Sequence, residues 1–418
     1  MANKDNSSRR VVITGVGAIT PLGTGVDKLW QGLLAGQSGI RKIEQFDASG
    51  MPCQIAGEIP DFVPTDHIPA KEARRMSRAS QIALAAIQMA VDDAGLEEPL
   101  GDLERVGVSI GTAVGGLERS IEGARAYREE GLNKVNPFTI PASIANMSGF
   151  HIAERYGVFG PSMCLVTACA AGTQIIGEAA ETIRGGRADI VLTAGTEAMI
   201  EGFAVAGFTA MRALPTSYND DPERASRPFD ANREGFVFSE GAAGLVVESL
   251  ENAQSRGAHI YAEIVGQASS SDPYHMATPD PSGSAAARTM RLALEDAQVS
   301  PDEVGYINAH GTSTPANDSV ETLAIKSLFG EAAYGIPISS TKSMIGHPMG
   351  ASGAVEAIVC ALTIDRDAIH PTINYENPDP ECDLDYVPNE ARDAKVNVTL
   401  SNSFGLGGQN ACLVLKRI

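Results

Sequence analysis

The 418-residue chain is 43% hydrophobic and 20% charged, with apolar matter for a large core and length for two domain-sized units. Its 32 basic and 52 acidic side chains leave a formal charge of −20, which argues against a nucleic-acid partner and against an anionic membrane surface. The six cysteines form no CxxC pair, so mostly buried thiols of a cytoplasmic enzyme are expected rather than a disulfide framework.

Met1 to Arg10 is polar, and the apolar run Val11-Val12-Ile13 is too short for a leader core or a membrane span. Short apolar runs then alternate with helical stretches, the pattern of α/β architecture. Strands are predicted at Val11–Thr14, Val106–Ile110, Ile190–Ala194, Ala243–Glu248, Val304–Asn308, Ile336–Ser340 and Ala411–Leu415. The stretch Thr14-Gly15-Val16-Gly17-Ala18-Ile19-Thr20 superficially suggests a dinucleotide loop, but Thr20 stands where the third glycine is needed. Ala170–Arg184 reads as an amphipathic helix, with Ile175, Ile176, Ala179, Ala180 and Ile183 on one arc. Asn219–Arg233 is charged and reads as loop. Ala351–Ile364 is apolar nearly all round apart from Glu356, which predicts a buried helix. Pro371-Thr372 and Asn377–Pro380 read as a surface loop, and Gly405 to Gly408 as a tight turn without the Lys-Ser/Thr of a phosphate loop.

Two segments look alike. One strand ends at Thr167-Ala168-Cys169 before the helix from Ala170; another ends at Ser340-Thr341-Lys342, and a loop through His347 and Gly350 opens the helix from Ala351. Both put a reactive residue type where a strand gives way to a helix, a hint of duplicated halves meeting at one site.

A lone cysteine is most often a small core hydrophobe, which is the reading for Cys164. Cys169 differs by its place at a helix start, where unpaired N–H groups lower a thiol's pKa and can hold an oxyanion. His310 follows the strand ending at Asn308, in Asn-Ala-His-Gly-Thr-Ser-Thr-Pro, while Lys342 and His347 share Ser-Thr-Lys-Ser-Met-Ile-Gly-His-Pro. One Cys, two His and one Lys at strand ends, flanked by Gly and Ser/Thr, form a catalytic constellation. No HExxH or paired CxxC metal spacing is present.

These motifs, with Ser-Asn-Ser-Phe-Gly-Leu-Gly-Gly from Ser401, resemble those of the β-ketoacyl-(acyl-carrier-protein) synthases, and most nearly the elongating synthase II type. The likeness runs from Arg10 to Ile418. It implies a thiolase-like α/β fold, two similar βαβαβαββ halves in a five-layered α/β/α/β/α body, with an N-terminal half over 10–262 and a C-terminal half over 263–418. It implies a homodimer, and no cofactor beyond the 4'-phosphopantetheine borne by the substrate. It also implies a decarboxylative condensation that lengthens an acyl thioester by two carbons at the expense of malonyl-acyl carrier protein. Cys169 would carry the acyl group, His310 and His347 would hold the thioester oxygen of the enolate, and Lys342 would set the charge. The backbone N–H groups of Cys169 and Leu406 would form the oxyanion hole, with Phe404 in support.

The same resemblance pairs Glu321 with Lys342 and links Glu356 to a structural monovalent cation. It puts Thr312 and Thr314 on the pantetheine arm, and Val114 and Phe208 in the acyl pocket. Lys71, Arg74 and Arg75, at i, i+3 and i+4 on a helix face, would join Arg212 in docking an acidic acyl carrier protein. Two positions depart from the family pattern: Leu406 replaces a gate phenylalanine, and Ala277 stands where a threonine is common. Rival readings are a polyketide-type ketosynthase, a non-catalytic chain-length-controlling subunit (disfavoured because Cys169 is present), and a thiolase, which would carry a second cysteine as base.

Overall fold

Two successions of strands and helices follow one another along the computed structural model, which describes residues 9–418. Residues 1–8, most of the polar N-terminal stretch, lie outside the described residues. The first succession is β1 (Val11–Thr20), α1 (Arg78–Asp93), β2 (Val106–Thr112), α2 (Met147–Tyr156), β3 (Ser162–Val166), α3 (Ala171–Arg184), β4 (Ile190–Glu197) and β5 (Gly241–Ser249). The second is β6 (Ala262–Ser271), α4 (Ser284–Ala297), β7 (Tyr306–Asn308), α5 (Pro315–Phe329), β8 (Ile338–Ser339), α6 (Ser352–Arg366), β9 (Val398–Gly405) and β10 (Gln409–Lys416). Both read βαβαβαββ.

Strand order repeats as well: β1-β5-β4-β2-β3 in the first sheet and β6-β10-β9-β7-β8 in the second. In each, the last three strands of that order pair in parallel and the other pairings are antiparallel. The sheets meet at a short antiparallel seam, Val12 opposite Glu263 and Ile13 opposite Ala262. Helices α1 and α2 cover the outer face of the first sheet, α4 and α5 that of the second, and α3 and α6 pack on each other between them. The result is five layers, α/β/α/β/α.

The central layer explains the sequence pattern. α6 is buried from Ser352 to Ile364 because it meets sheet and helix on every side, so no polar arc is needed. α3 and α6 begin side by side: a Cβ on Gly172 would stand 2.7 Å from Ala354 N and 2.8 Å from Gly350 O. Gly15 and Gly17 are strand residues under α1, not a nucleotide loop; a Cβ on either would meet Ala94 or Met89 at under 3 Å.

Some expectations need correction. Lys71, Arg74 and Arg75 do not share a helix face, since the helix spans only Ala70–Ala73 and both arginines lie in the following turn; all three are exposed. Cys164 is not core: β3 is a sheet edge, and the thiol is half-buried there. Pro371-Thr372 is not surface loop either. Thr372 is fully buried, and its hydroxyl accepts a 3.0 Å bond from Ser340 N. The loop Asn219–Arg233 hides ionic pairs, Arg227 with Asp230 at 3.1 Å and Arg233 with Asp379 at 2.5 Å. All six cysteines are free thiols. Among the described residues no helix is long and apolar enough to cross a membrane.

Candidate active site

The site forms where strands of both halves end. β3 stops at Val166, and a one-turn helix at Ala168–Ala170 carries Cys169 directly before α3. Ala168 adopts φ +49°, a strained conformation that lifts the next residue out of the strand. β7 ends at Asn308 and releases His310; β8 ends at Ser339 and is followed by Lys342 and His347.

All four side chains are buried and converge. His347 Nε2 lies 3.0 Å from Cys169 Sγ, and its Nδ1 lies 2.9 Å from Ser352 Oγ at the start of α6. The His310 and His347 rings meet edge to face with centroids 5.6 Å apart. The sulfur and one nitrogen of each ring all lie within 4.8 Å of one another. Phe404 and Phe236 meet the edges of His310 and His347, respectively, fixing the ring planes. Such a Cys-His-His set could ligate a metal, but the Lys342 charge acts on all three groups and opposes a dication there.

Lys342 pairs with Glu356, not with Glu321 as expected. Glu321 sits on α5 facing the turn after β7, where the His310 and Gly311 N–H groups donate to it at 2.8 Å each and Asn402 Nδ2 at 3.1 Å. It therefore shapes the His310 turn.

Electrostatics follow from burial. Desolvation, joined by the Lys342 charge, holds both histidines well below the ordinary imidazole range, so each is neutral with one N–H to donate. Burial also pushes the Cys169 thiol up to about 11, against the pull of the Leu406 N–H and of Lys342. The expectation of a thiol acidified by its helix is thus reversed: desolvation outweighs the helix terminus, and the resting group is the thiol.

A cavity of about 360 Å³ leads to the sulfur. Thr312 and Thr314 line it with hydroxyls 2.9 Å apart, and Phe208, Arg212, Ala277, Thr278 and Leu406 also border it. Val114 does not reach this opening; it packs in the apolar cluster that includes Cys169 and Phe208. Leu406 tops the β9–β10 hairpin, about a third exposed. Among the described residues, the buried oxygens on β7, β9 and α6 that lack hydrogen-bond partners include Glu356 Oε2, on the residue paired with Lys342, and Asn308 Oδ1, Ser401 Oγ and Asn402 Oδ1. β7 and β9 set Asn308 opposite Ser401.

Three residues about the site were not foreseen. Met349 Sδ lies 3.8 Å from Cys169 Sγ, Ser352 orients His347, and Glu197 ends β4 inside the wall. Ser352 and Met349 carried a signal in their nearness to His347 in sequence. Glu197 carried one as the lone acid closing an apolar strand.

Fold and site together define a thiolase-like protein, two duplicated halves with a helix-borne cysteine facing two histidines. The chain matches the family models "Beta-ketoacyl synthase, N-terminal domain" over residues 8–253 and "Beta-ketoacyl synthase, C-terminal domain" over 261–376. It is 48% identical over 417 residues to a 3-oxoacyl-[acyl-carrier-protein] synthase 2 of Synechocystis, covering 100% of both chains. A protein of the same name from Coxiella burnetii is also 48% identical, over 98% of this chain and 99% of that one. Among solved structures, a beta-ketoacyl synthase from Burkholderia phymatum superposes with TM-score 0.91 at 38% identity, covering 98% of this chain and 100% of that one. The ketosynthase of a type II PKS, solved in complex with its acyl-carrier protein and bound to the hexaketide, gives 0.91 at 37%, covering 99% and 100%. The chain belongs to the beta-ketoacyl synthase family.

Proposed function

We propose that this enzyme is an elongating 3-oxoacyl-[acyl-carrier-protein] synthase of fatty acid synthesis. The observation that carries this reading is the convergence of the Cys169 sulfur with His310 and His347 in one buried cavity. In the first step Cys169 Sγ attacks an acyl thioester. Its S–C bond forms, the carrier's S–C bond breaks, and the thiol proton leaves with the carrier sulfur. The backbone N–H groups of Cys169 and Leu406 hold the oxyanion meanwhile. In the second step a malonyl thioester binds, with its carbonyl oxygen facing the two imidazoles. Its C–C bond to the carboxylate breaks, carbon dioxide departs, and the enolate oxygen takes hydrogen bonds from His310 and His347. The enolate carbon then attacks the acyl carbon, and the Cys169 sulfur leaves and is reprotonated. Lys342, balanced by Glu356, keeps both imidazoles neutral and donating.

The substrate arrives on the 4'-phosphopantetheine of an acyl carrier protein, for which Thr312 and Thr314 supply hydroxyls at the cavity wall. Exposed Lys71, Arg74 and Arg75, and Arg212 at the mouth, suit an acidic carrier; Arg75 is held over the Phe138 ring at 4.7 Å. The partnerless oxygens of Glu356, Asn308 and Ser401, the last two opposite each other in register, suit a hard monovalent cation near Glu356. The half over 10–262 supplies nucleophile and acyl pocket, and the half over 263–418 supplies the histidines, Lys342 and the gate; the repeated strand order supports this division. Free thiols throughout suit a cytoplasmic setting.

The solved type II PKS neighbour favours a second reading, a polyketide-type ketosynthase. The curated relatives, more similar in sequence, favour fatty acids. A condensation assay with malonyl-carrier protein and a ladder of saturated acyl-carrier donors separates the two: saturated donors should be extended once each. Cys169→Ala should abolish the acyl-enzyme seen by mass spectrometry; an acyl adduct persisting in this variant refutes the nucleophile.

A further inference from the structure

We propose that Glu197 is a positioning residue that ties the acyl-pocket wall to the segment against the nucleophile, so that chain-length preference passes through one carboxylate. The inference rests on Cys169 being the acylated thiol.

Glu197 closes β4 and is completely buried, yet it has no ion-pair partner among the described residues. Its hydrogen bonds come from two other segments. The end of β2 supplies Thr112 Oγ1 at 3.3 Å, and the turn after it Ala113 N at 2.5 Å. The turn after His347 supplies Gly350 N at 3.3 Å. Thr112 Oγ1 in turn accepts from Gly115 N at 3.0 Å, so the carboxylate and this hydroxyl fix the backbone on both sides of Val114. Gly350 follows Met349, whose sulfur touches that of Cys169. Val114, Cys169, Phe208 and Met349 belong to one apolar cluster. Glu197 is thus the polar tie between the wall of that cluster and the segment against the thiol.

The chemistry of the tie is specific. Backbone N–H groups can only donate, and a carboxylate is the one side chain of this length whose two oxygens only accept. An amide would turn an NH₂ toward donors and leave them unsatisfied, at a cost where no water replaces the bond. The segments have no slack: a Cβ on Gly350 would overlap Ala113 N, and one on Gly195 would lie 2.7 Å from Ala354 Cβ and 3.0 Å from Gly350 O. A chain pressing on Val114 therefore moves Glu197, and with it Gly350 and Met349.

The thiol is faced by Lys342, Glu197 and the two neutral imidazoles, and the two charges act on it with opposite signs. Burial pushes Glu197 up to about 7 against its hydrogen bonds, so it is charged throughout the alkaline range in which the thiol titrates. Removing that charge makes the thiol more acidic, an effect that a purely structural residue would not give.

The test uses Glu197→Gln, which keeps length and removes charge, and Glu197→Asp, which keeps charge and shortens the tie. Iodoacetamide alkylation at Cys169 is followed by mass spectrometry from neutral pH into the thiol's range, and kcat/KM is measured for short and long acyl donors. Glu197→Gln should shift the alkylation profile down by roughly half a pH unit. Glu197→Asp should leave that profile in place, and both variants should change the long-to-short preference by about threefold or more. Wild-type profiles and preferences in both variants overturn the proposal. So does failure of both to fold, which would make Glu197 a stability residue only. A wild-type enzyme not labelled at Cys169 removes the nucleophile reading instead, and this proposal with it.

Discussion

Lys342 is the single cation in a site from which burial has taken the solvent, and its partner decides what it can do. Glu356 balances its charge from within α6, while burial, joined by the same charge, keeps His310 and His347 neutral. A buried pair of this kind is weak as a source of net stability but costly to break, because the survivor is left charged or must neutralise. Burial pushes Glu356 up to about 7 even against the pull of Lys342, so without Lys342 it would hold a proton through neutral pH. Lys342→Met should therefore destabilise the enzyme by about 3 kcal/mol in urea unfolding, and Lys342→Met with Glu356→Leu should be less destabilised than the single change. Additive losses would mean that the two groups are not coupled. Glu321, by contrast, owes its place to backbone donors, and Glu321→Gln should lower condensation without the same coupling to Lys342.

The β9–β10 hairpin borders the cavity that leads to Cys169. Its turn is tied to the Asp272–Met276 segment: Gly407 N donates to Met276 O and Asp272 N to Gly408 O, each at 2.8 Å, while Leu406 stands over the cavity mouth. Leu406→Phe keeps the backbone N–H and adds a ring to the gate. Long acyl donors should lose kcat/KM by about threefold or more relative to short ones, read from the donor ladder. An unchanged profile would separate the gate from chain selection. This hairpin also marks the limit of what sequence patterning reveals. Ala411–Leu415, apolar and buried, was legible as a strand, but its partner β9 was not, nor was β6. Ser401, Asn402 and Ser403 of β9 serve the site rather than the core: Asn402 donates to Glu321, and Ser403 meets Thr173 at 2.7 Å. β6 ends in Ser269-Ser270-Ser271, paired with the hairpin. Polar residues in a buried strand erase the apolar signal on which strand assignment depends. Cys169, His310, Lys342 and His347 were legible as one constellation because their strand-end motifs are local. The partners of Lys342 and Glu321 were not, because tertiary packing chooses them.

At the scale of the whole molecule, the two sheets differ at their outer edges. β8 is short and buried, and Ile338 N is satisfied by Asp385 O. Among the described residues β3 is open: it pairs only with β2, and its own residues are half-buried or exposed. Phe159 is 76% exposed and Val166 54%, beside an unpaired row of strand N–H and C=O groups. Such an edge invites a second strand unless something covers it, and a two-fold axis would set two copies of β3 antiparallel and continue the sheet. This is the interface that suits the expected homodimer. Each copy carries −20 charges, so long-range repulsion opposes association and salt should relieve it. The wild-type enzyme should sediment at twice the chain mass, with a dimer that tightens as salt is added. Phe159→Lys with Val166→Lys should weaken that dimer at least a hundredfold, about 3 kcal/mol, because two cations then meet their copies across the axis. A monomeric wild type, or a dimer indifferent to both substitutions, would place the interface elsewhere and leave β3 to be covered by some other means.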